Sequence, residues 1–189
     1  MLARHLSPNS PTTPAVAQAE SPVLEFPLLF VFPAAMAFAG AMDLLTMTIP
    51  NRVSLVLVAA FAALAPVSGL PLQAILGHMA AGALVLLIGF AMFTQGWLGG
   101  GDAKLLAATA LWLGFDNLIP YLLWTSILGG ALALAIIGYR SLVPPIWALG
   151  QDWAMRLYDR KAGIPYGMAL AGAALLIYPS TKWFAVLAA

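Results

Sequence analysis

Long apolar runs, separated by short polar or Gly/Pro-rich breaks, make up most of the chain from about Phe26 onward. A helix needs about 20 residues, within a range of about 17–25, to cross the hydrocarbon core of a bilayer. The pattern therefore predicts an all-α, polytopic membrane protein with about six transmembrane helices. The six runs are 26–43, 53–70, 72–94, 103–118, 119–138 and 164–180. The boundary between the fourth and fifth runs depends on Asp116-Asn117 and on Pro120.

Residues 1–22 differ from the rest because they are rich in Pro, Ser and Thr and contain no long apolar run. Too little apolar area is available there to offset the entropy of ordering the chain, so a flexible tail is predicted. Arg4 is not followed directly by an apolar core, which is unlike a signal peptide. The predicted organisation is a tail at 1–22 and a membrane-embedded domain at 23–189.

Basic residues predict the orientation of the helices, because cytoplasmic loops carry an excess of Lys and Arg. With six crossings, one side of the membrane holds Arg52, Lys104, Arg140, Arg156, Arg160 and Lys161, and the other side holds Arg4 and Lys182. Segments 44–52, 95–102 and 139–163 are therefore expected in the cytoplasm. Aromatic residues alternate with charges in segment 139–163, which predicts an interfacial segment lying on the membrane.

Composition narrows the possible functions. Of 189 residues, 62% are hydrophobic and 8% are charged, whereas soluble domains average about 25% charged. The chain has no cysteine, which rules out disulfides and thiolate zinc sites. The net charge of +1 gives no reason to expect nucleic acid as a partner. The two histidines, His5 and His78, fall in the tail and in the outer half of a helix, so neither a metal nor a cofactor is expected.

Asp43 stands out among the seven acidic residues because it lies within an apolar segment and precedes Leu44 and Leu45. A carboxylate at that depth is costly unless it is paired, hydrated or protonated, which makes function the default hypothesis. The alternative is that Asp43 merely reaches the cytoplasmic interface. Asp116, beside Asn117, is explained by a solvated turn on the outer side.

Asp102 follows three glycines, Gly99 to Gly101, and a predicted helix begins at Ala103. Its simplest role is an N-cap, since Asp accepts hydrogen bonds from free N–H groups and favours the positive helix end. Three glycines also permit positive φ and a close approach to a bound chain. A site that grips an extended peptide requires such an approach.

The two aspartates are predicted on the same side of the membrane. If their helices pack together, the carboxyl groups can share one proton, so that one acts as a base and the other as an acid. The base can activate water while the acid protonates the carbonyl oxygen or the leaving amine. This chemistry needs no metal, thiol or serine.

Three segments carry a family resemblance. Asp43–Asn51, with its Ile-Pro-Asn ending, resembles the first aspartate motif of type IV prepilin peptidases. Gly99–Leu106 resembles their second motif, Gly-x-Gly-Asp-x-Lys-Leu, and Ile164–Ala169 resembles the Pro-Tyr-Gly start of their last helix. Presenilin-type proteases share Gly-x-Gly-Asp, but they place Tyr-Asp before it and Pro-Ala-Leu after it. Here the only Tyr-Asp follows it, at Tyr158-Asp159, and Pro-Ala-Leu is absent.

The resemblance implies that Asp43 and Asp102 form the catalytic pair of a membrane aspartic endopeptidase. Supporting roles would fall to Pro50 and Asn51 after the first aspartate, to Gly99 and Gly101 beside the second, and to Pro165, Tyr166 and Gly167. Lys104 has two open interpretations, a hydrogen-bond donor near substrate and the pair, or a marker of the cytoplasmic side.

The family removes the short basic leader of prepilins on the cytoplasmic face, after a glycine, and frees a hydrophobic pilin N-terminus. The resemblance implies that the substrates are prepilins or pseudopilins and that the process is pilus assembly or type II/IV-like secretion. It also implies a multi-pass position in the bacterial inner membrane and possible contacts with other pilus-assembly proteins. Larger members carry paired cysteines and methylate the new N-terminus. Without them, this chain is not expected to methylate, and its short form resembles the peptidases of Flp-type (tight-adherence) pili.

Two other classes of function fit parts of the pattern. A small ion- or proton-coupled transporter could use Asp43 and Asp102 as buried acids. A catalytically silent scaffold could use the glycine-rich and alanine-rich helices for close packing.

Overall fold

Helices form all the regular structure in the part of the chain that the computed structural model describes, residues 22–144 and 146–185. The all-α prediction is confirmed. The predicted flexible tail lies outside the described residues except for Pro22. The helices are α1 (Pro22–Thr46), α2 (Asn51–Leu64), α3 (Leu72–Thr94), α4 (Gly100–Ser141), α5 (Asp152–Tyr158), α6 (Tyr166–Ile177) and α7 (Lys182–Ala185). Short 3₁₀ turns lie at Ala65–Val67, Ile146–Gly150, Arg160–Ala162 and Tyr178–Ser180.

Two helices, α3 and α4, are long and apolar enough to cross a membrane by length and composition. Three shorter apolar helical stretches accompany them, at Phe30–Thr46, Asn51–Val67 and Tyr166–Ser180. The count of six crossings therefore stays a prediction.

Helix α4 reverses direction at Gly114, where φ is 65° and ψ is −179°. A straight helix of its 42 residues would be about 63 Å long, twice the thickness of the hydrocarbon core. Its first half packs against α3, with Ala103 beside Gly89 and the Gly114 backbone beside the His78 ring. Its second half returns, so that Gly129 lies against the Tyr166 ring at the start of α6.

The predicted boundary between the fourth and fifth runs, at 118/119, is therefore wrong. Asp116 and Pro120 lie within the second half of α4, and the break comes at Gly114. Glycine adopts positive φ at no steric cost. A methyl group on Gly114 would also come within 2.9 Å of the His78 ring, so this turn admits no larger residue.

An aromatic cluster holds the end of the bundle where α4 reverses. Trp112 and Trp183 are fully buried with ring centroids 5.2 Å apart. Trp183 Nε1 donates to the Trp112 carbonyl at 2.6 Å, and Trp112 Nε1 donates to the Leu57 carbonyl at 2.9 Å. These bonds join α2, α4 and α7. Asp116 and Lys182, both predicted on the outer side of the membrane, form an exposed ion pair of 2.8 Å at this end. Such a pair contributes little to stability.

Candidate active site

Asp43 lies in the last turn of α1 and is 5% exposed. Its Oδ2 accepts a hydrogen bond of 2.6 Å from the backbone N–H of Gly167, the second residue of α6. The first N–H groups of a helix have no partner within the helix, and they carry its positive dipole end. The start of α6 is thus built to hold the Asp43 carboxylate.

Asp102 lies in the first turn of α4 and is half-buried. The helix begins at Gly100, and Gly99 is its N-cap with φ −66° and ψ 143°, so the alternative role of Asp102 as the N-cap is wrong. The expectation of positive φ in the three glycines is also wrong, because the positive φ in this region is at Gly96. The glycines serve packing instead, since methyl groups on Gly100 and Gly101 would come within 3.2 Å of Phe93 and Ile49.

The two aspartates lie at the same level on facing sides of α1 and α4. Met36 precedes Asp43 by seven residues and Thr109 follows Asp102 by seven, which is two helical turns or about 10.5 Å in each case. Thr109 Oγ1 contacts Met36 Sδ at 3.5 Å, so both helices are in register two turns below the aspartates.

Ile49 occupies the space between the segments that carry the two aspartates. A methyl group on Gly167 would come within 2.7 Å of Ile49 Cδ1 and within 2.8 Å of Asp43 Oδ2, so both atoms border the same point. On its other side, Ile49 Cβ would lie 3.2 Å from a methyl group on Gly101. Glycine at both positions lets α4 and α6 close on this one side chain.

The other predicted supporting residues lie around the same end of the bundle, which we call the aspartate end. Pro50 is the N-cap of α2, and the Asn51 side chain accepts a hydrogen bond of 2.9 Å from Lys104 Nζ. Pro165 precedes α6 and is buried, while the Tyr166 ring packs on Gly129. The structure therefore gives Lys104 a role in joining α4 to α2.

The sequence matches the model of the type IV leader peptidase family over residues 30–134, more than half of the chain. The chain belongs to the type IV leader peptidase family. Both aspartates lie inside the matched range, and the segment Pro165–Gly167 lies outside it. Among curated proteins and among solved structures, no match to the chain is found.

Membership makes the protein a membrane peptidase of the leader-peptidase type and gives the resemblance noted in the sequence a firm basis. It favours a peptidase over the transporter and the scaffold. Within the described part of this leader peptidase, no three His, Asp or Glu side chains gather as metal ligands would.

Arg156 is a residue at the site that the sequence did not single out. It lies on α5, and its Nη1 donates a 2.6 Å hydrogen bond to the carbonyl of Leu45, two residues after Asp43. The last four carbonyls of a helix lack partners within it, so Arg156 completes the end of α1. Arg140 similarly donates to the carbonyls of Leu157 and Gly163. The two arginines fix α5 and the turn that follows it in this leader peptidase beside Asp43.

A group of buried hydroxyls is the second feature that the sequence did not reveal. Thr109 and Tyr121 are fully buried and Thr125 is 5% exposed. The hydroxyls of Tyr121 and Thr125 have no hydrogen-bond partner among the described residues. The group lies below the aspartates, because Thr109 is two turns along α4 from Asp102.

Proposed function

We propose that the chain is an aspartic endopeptidase in which Asp43 and Asp102 cleave the leader from Flp-type prepilins. The observation that carries the proposal is the position of two acidic side chains at one level on facing helices, one of them held by a backbone N–H. One carboxylate takes a proton from water as the water attacks the scissile carbonyl. The protonated partner gives its proton to the carbonyl oxygen, which forms a gem-diol. The proton taken from water then passes to the leaving amine as the C–N bond breaks, and a gem-diol hydroxyl returns a proton to the other carboxylate as the carbonyl re-forms.

The fold supplies the orientation that this chemistry needs. The Gly167 N–H fixes one carboxylate, and the close packing of Ile49 between Gly101 and Gly167 sets the spacing of the two segments. Holding reactants in position can contribute as much to the rate as the proton transfers. Arg52, Lys104 and the basic residues of segment 139–163 support a cytoplasmic position for the aspartate end. The protein would then act in the bacterial inner membrane, in pilus assembly or a related secretion system.

Cleavage of a purified Flp-type prepilin by the reconstituted protein tests the proposal. Asp43→Asn and Asp102→Asn should each lower kcat by about 10²–10⁴-fold, the range of general acid–base catalysis. Asp116→Asn is the matched control, because Asp116 is an exposed acid on α4 at the opposite end of the bundle. An Asp43→Asn or Asp102→Asn protein that processes the leader as well as the Asp116→Asn protein would refute the pair.

A further inference from the structure

An apolar cleft of about 740 Å³ separates α2 from α3 and has the first half of α4 as its floor. Small residues line it on all three sides: Ala62 and Ala65 on the α2 side, Gly82 and Ala83 on α3, and Ala107 and Ala108 on α4. Small side chains allow the backbones of neighbouring helices to approach closely in a membrane. The cleft is thus shaped for a further helix beside α4.

The polar side chains that line the cleft lie together at its aspartate end: Asn51, Ser54 and Lys104. Lys104 follows Asp102 by two residues, which is about 3 Å along the helix axis. At its far end the cleft is lined by Pro66 and Ile75, beside the turn that joins α2 to α3. The cleft therefore runs from the level of the aspartates into the apolar part of the bundle.

Chemistry limits what can fill such a space. Inside a bilayer a peptide must satisfy its own backbone hydrogen bonds, so only a helix or a lipid acyl chain suits the apolar part. At a helix end, N–H and C=O groups need outside partners. The Ser54 hydroxyl and the Asn51 amide offer neutral partners there. The Lys104 ammonium has three donors, of which Asn51 takes one, so it can also bind a carbonyl or carboxylate.

We propose that this cleft binds the apolar segment of the prepilin that adjoins the scissile bond. The inference rests on the proposed function. Lys104 and Asp102 are two residues apart on α4 and so lie on opposite faces of the helix. A chain leaving the cleft at Lys104 must cross the width of one helix, about 10 Å, to reach the aspartates. About three extended residues cover that distance. One bound peptide can therefore fill the cleft and still present its scissile bond to the aspartates, which favours a peptide as the occupant.

Site-specific cross-linking tests the occupant directly, because the chain has no cysteine and single cysteines can be introduced cleanly. Ala62→Cys and Ala83→Cys place thiols in the cleft of the full-length Asp102→Asn protein in vesicles. The prepilin carries one cysteine in its apolar segment. The control is Leu134→Cys on the second half of α4, where the side chain is 72% exposed.

We expect disulfides to the prepilin at both cleft positions, at least about tenfold above the control. Equal cross-linking at Leu134→Cys would overturn the proposal. The proposal would also fail if a photoreactive phosphatidylglycerol labelled the cleft and excess prepilin did not reduce the labelling, since the cleft would then be a lipid site.

Filling the cleft gives a second, kinetic test. Ala83→Phe should raise KM for full-length prepilin about tenfold, which is about 1.4 kcal/mol of affinity, because the larger side chain takes up space that the bound segment needs. Cleavage of a soluble peptide that holds only the leader and the cut site should not change. Leu134→Phe should affect neither substrate. Equal losses on both substrates would refute the proposal. If the Asp43→Asn protein also cleaved both, the proposed function would fail instead, and cross-linking would still decide the occupant of the cleft.

Discussion

Gly167→Ala is the substitution that most directly tests how the first aspartate is held. The added methyl group would come within 2.7 Å of Ile49 Cδ1, 2.8 Å of Asp43 Oδ2 and 3.0 Å of Asp43 Cβ. Overpacking of this kind costs about 1–3 kcal/mol. The 2.6 Å hydrogen bond from the Gly167 N–H to Asp43 is of the charge-assisted type, worth about 1.5–3 kcal/mol. Both effects act on the aspartate that the reaction needs.

A loss of about 3 kcal/mol in transition-state stabilisation corresponds to a fall in kcat of about a hundredfold. KM should change much less, because Gly167 contacts Asp43 and Ile49 and does not line the cleft between α2 and α3. Steady-state cleavage of the prepilin in detergent gives both constants. Gly172→Ala is the matched control on the same helix, where the new methyl group meets only the end of the Leu128 side chain at 3.2 Å.

A second substitution separates the two contacts of the added methyl group. Ile49→Val removes Cδ1, so the double variant with Gly167→Ala should recover about tenfold of the lost activity, a coupling typical of residues in contact. Ile49→Val alone should cost little. If Gly167→Ala cleaved prepilin as fast as Gly172→Ala, the role given to this N–H would be wrong.

Two further predictions concern the frame around the site. Arg156→Gln removes the hydrogen bond to the Leu45 carbonyl and should lower kcat about threefold, because an exposed hydrogen bond of this kind contributes about 0.5–1.5 kcal/mol net. Arg156→Lys should lie between Arg156→Gln and the parent, and equal rates for all three proteins would contradict this. Gly114→Ala forces alanine into positive φ, which costs about 1–2 kcal/mol, and brings its methyl group within 2.9 Å of the His78 ring. Its Tm should therefore fall well below that of Gly130→Ala, whose new methyl group meets no atom within 4 Å. Matching Tm values for the two alanine variants would show that the reversal in α4 tolerates a side chain.

The sequence predicted elements well where local signals mark both ends. The run 72–94 coincides with α3, Leu72–Thr94, because Pro71 precedes the helix and Gly96 follows it with φ 74°. The reversal in α4 was misplaced because Asp116 and Pro120 are the usual signs of a break, whereas the backbone turns at Gly114. The contact that fixes this turn comes from His78, on another helix, and no local pattern contains it.

The aspartates could be found because acids within apolar runs are few, and their common level follows from the order of the helices. The groups that hold them could not be found in the same way. The donor to Asp43 is a backbone N–H that lies 124 residues away in the chain. Arg156 resembles an ordinary basic loop residue until α5 folds against α1. Ile49 acquires its position only when three segments of the chain meet.

The single-residue connection within α4 also bears on how the protein is made. The ribosome delivers the 42 residues of α4 with no loop between its two halves, so the halves must fold back on each other at Gly114. The His78 ring, which packs against Gly114, belongs to α3. Helix α3 precedes α4 in the chain and is synthesised first. When Gly114 emerges from the ribosome, the helix that carries its packing partner, His78, has already been made. The order of the helices along the chain thus supplies a template for the turn before the turn is formed.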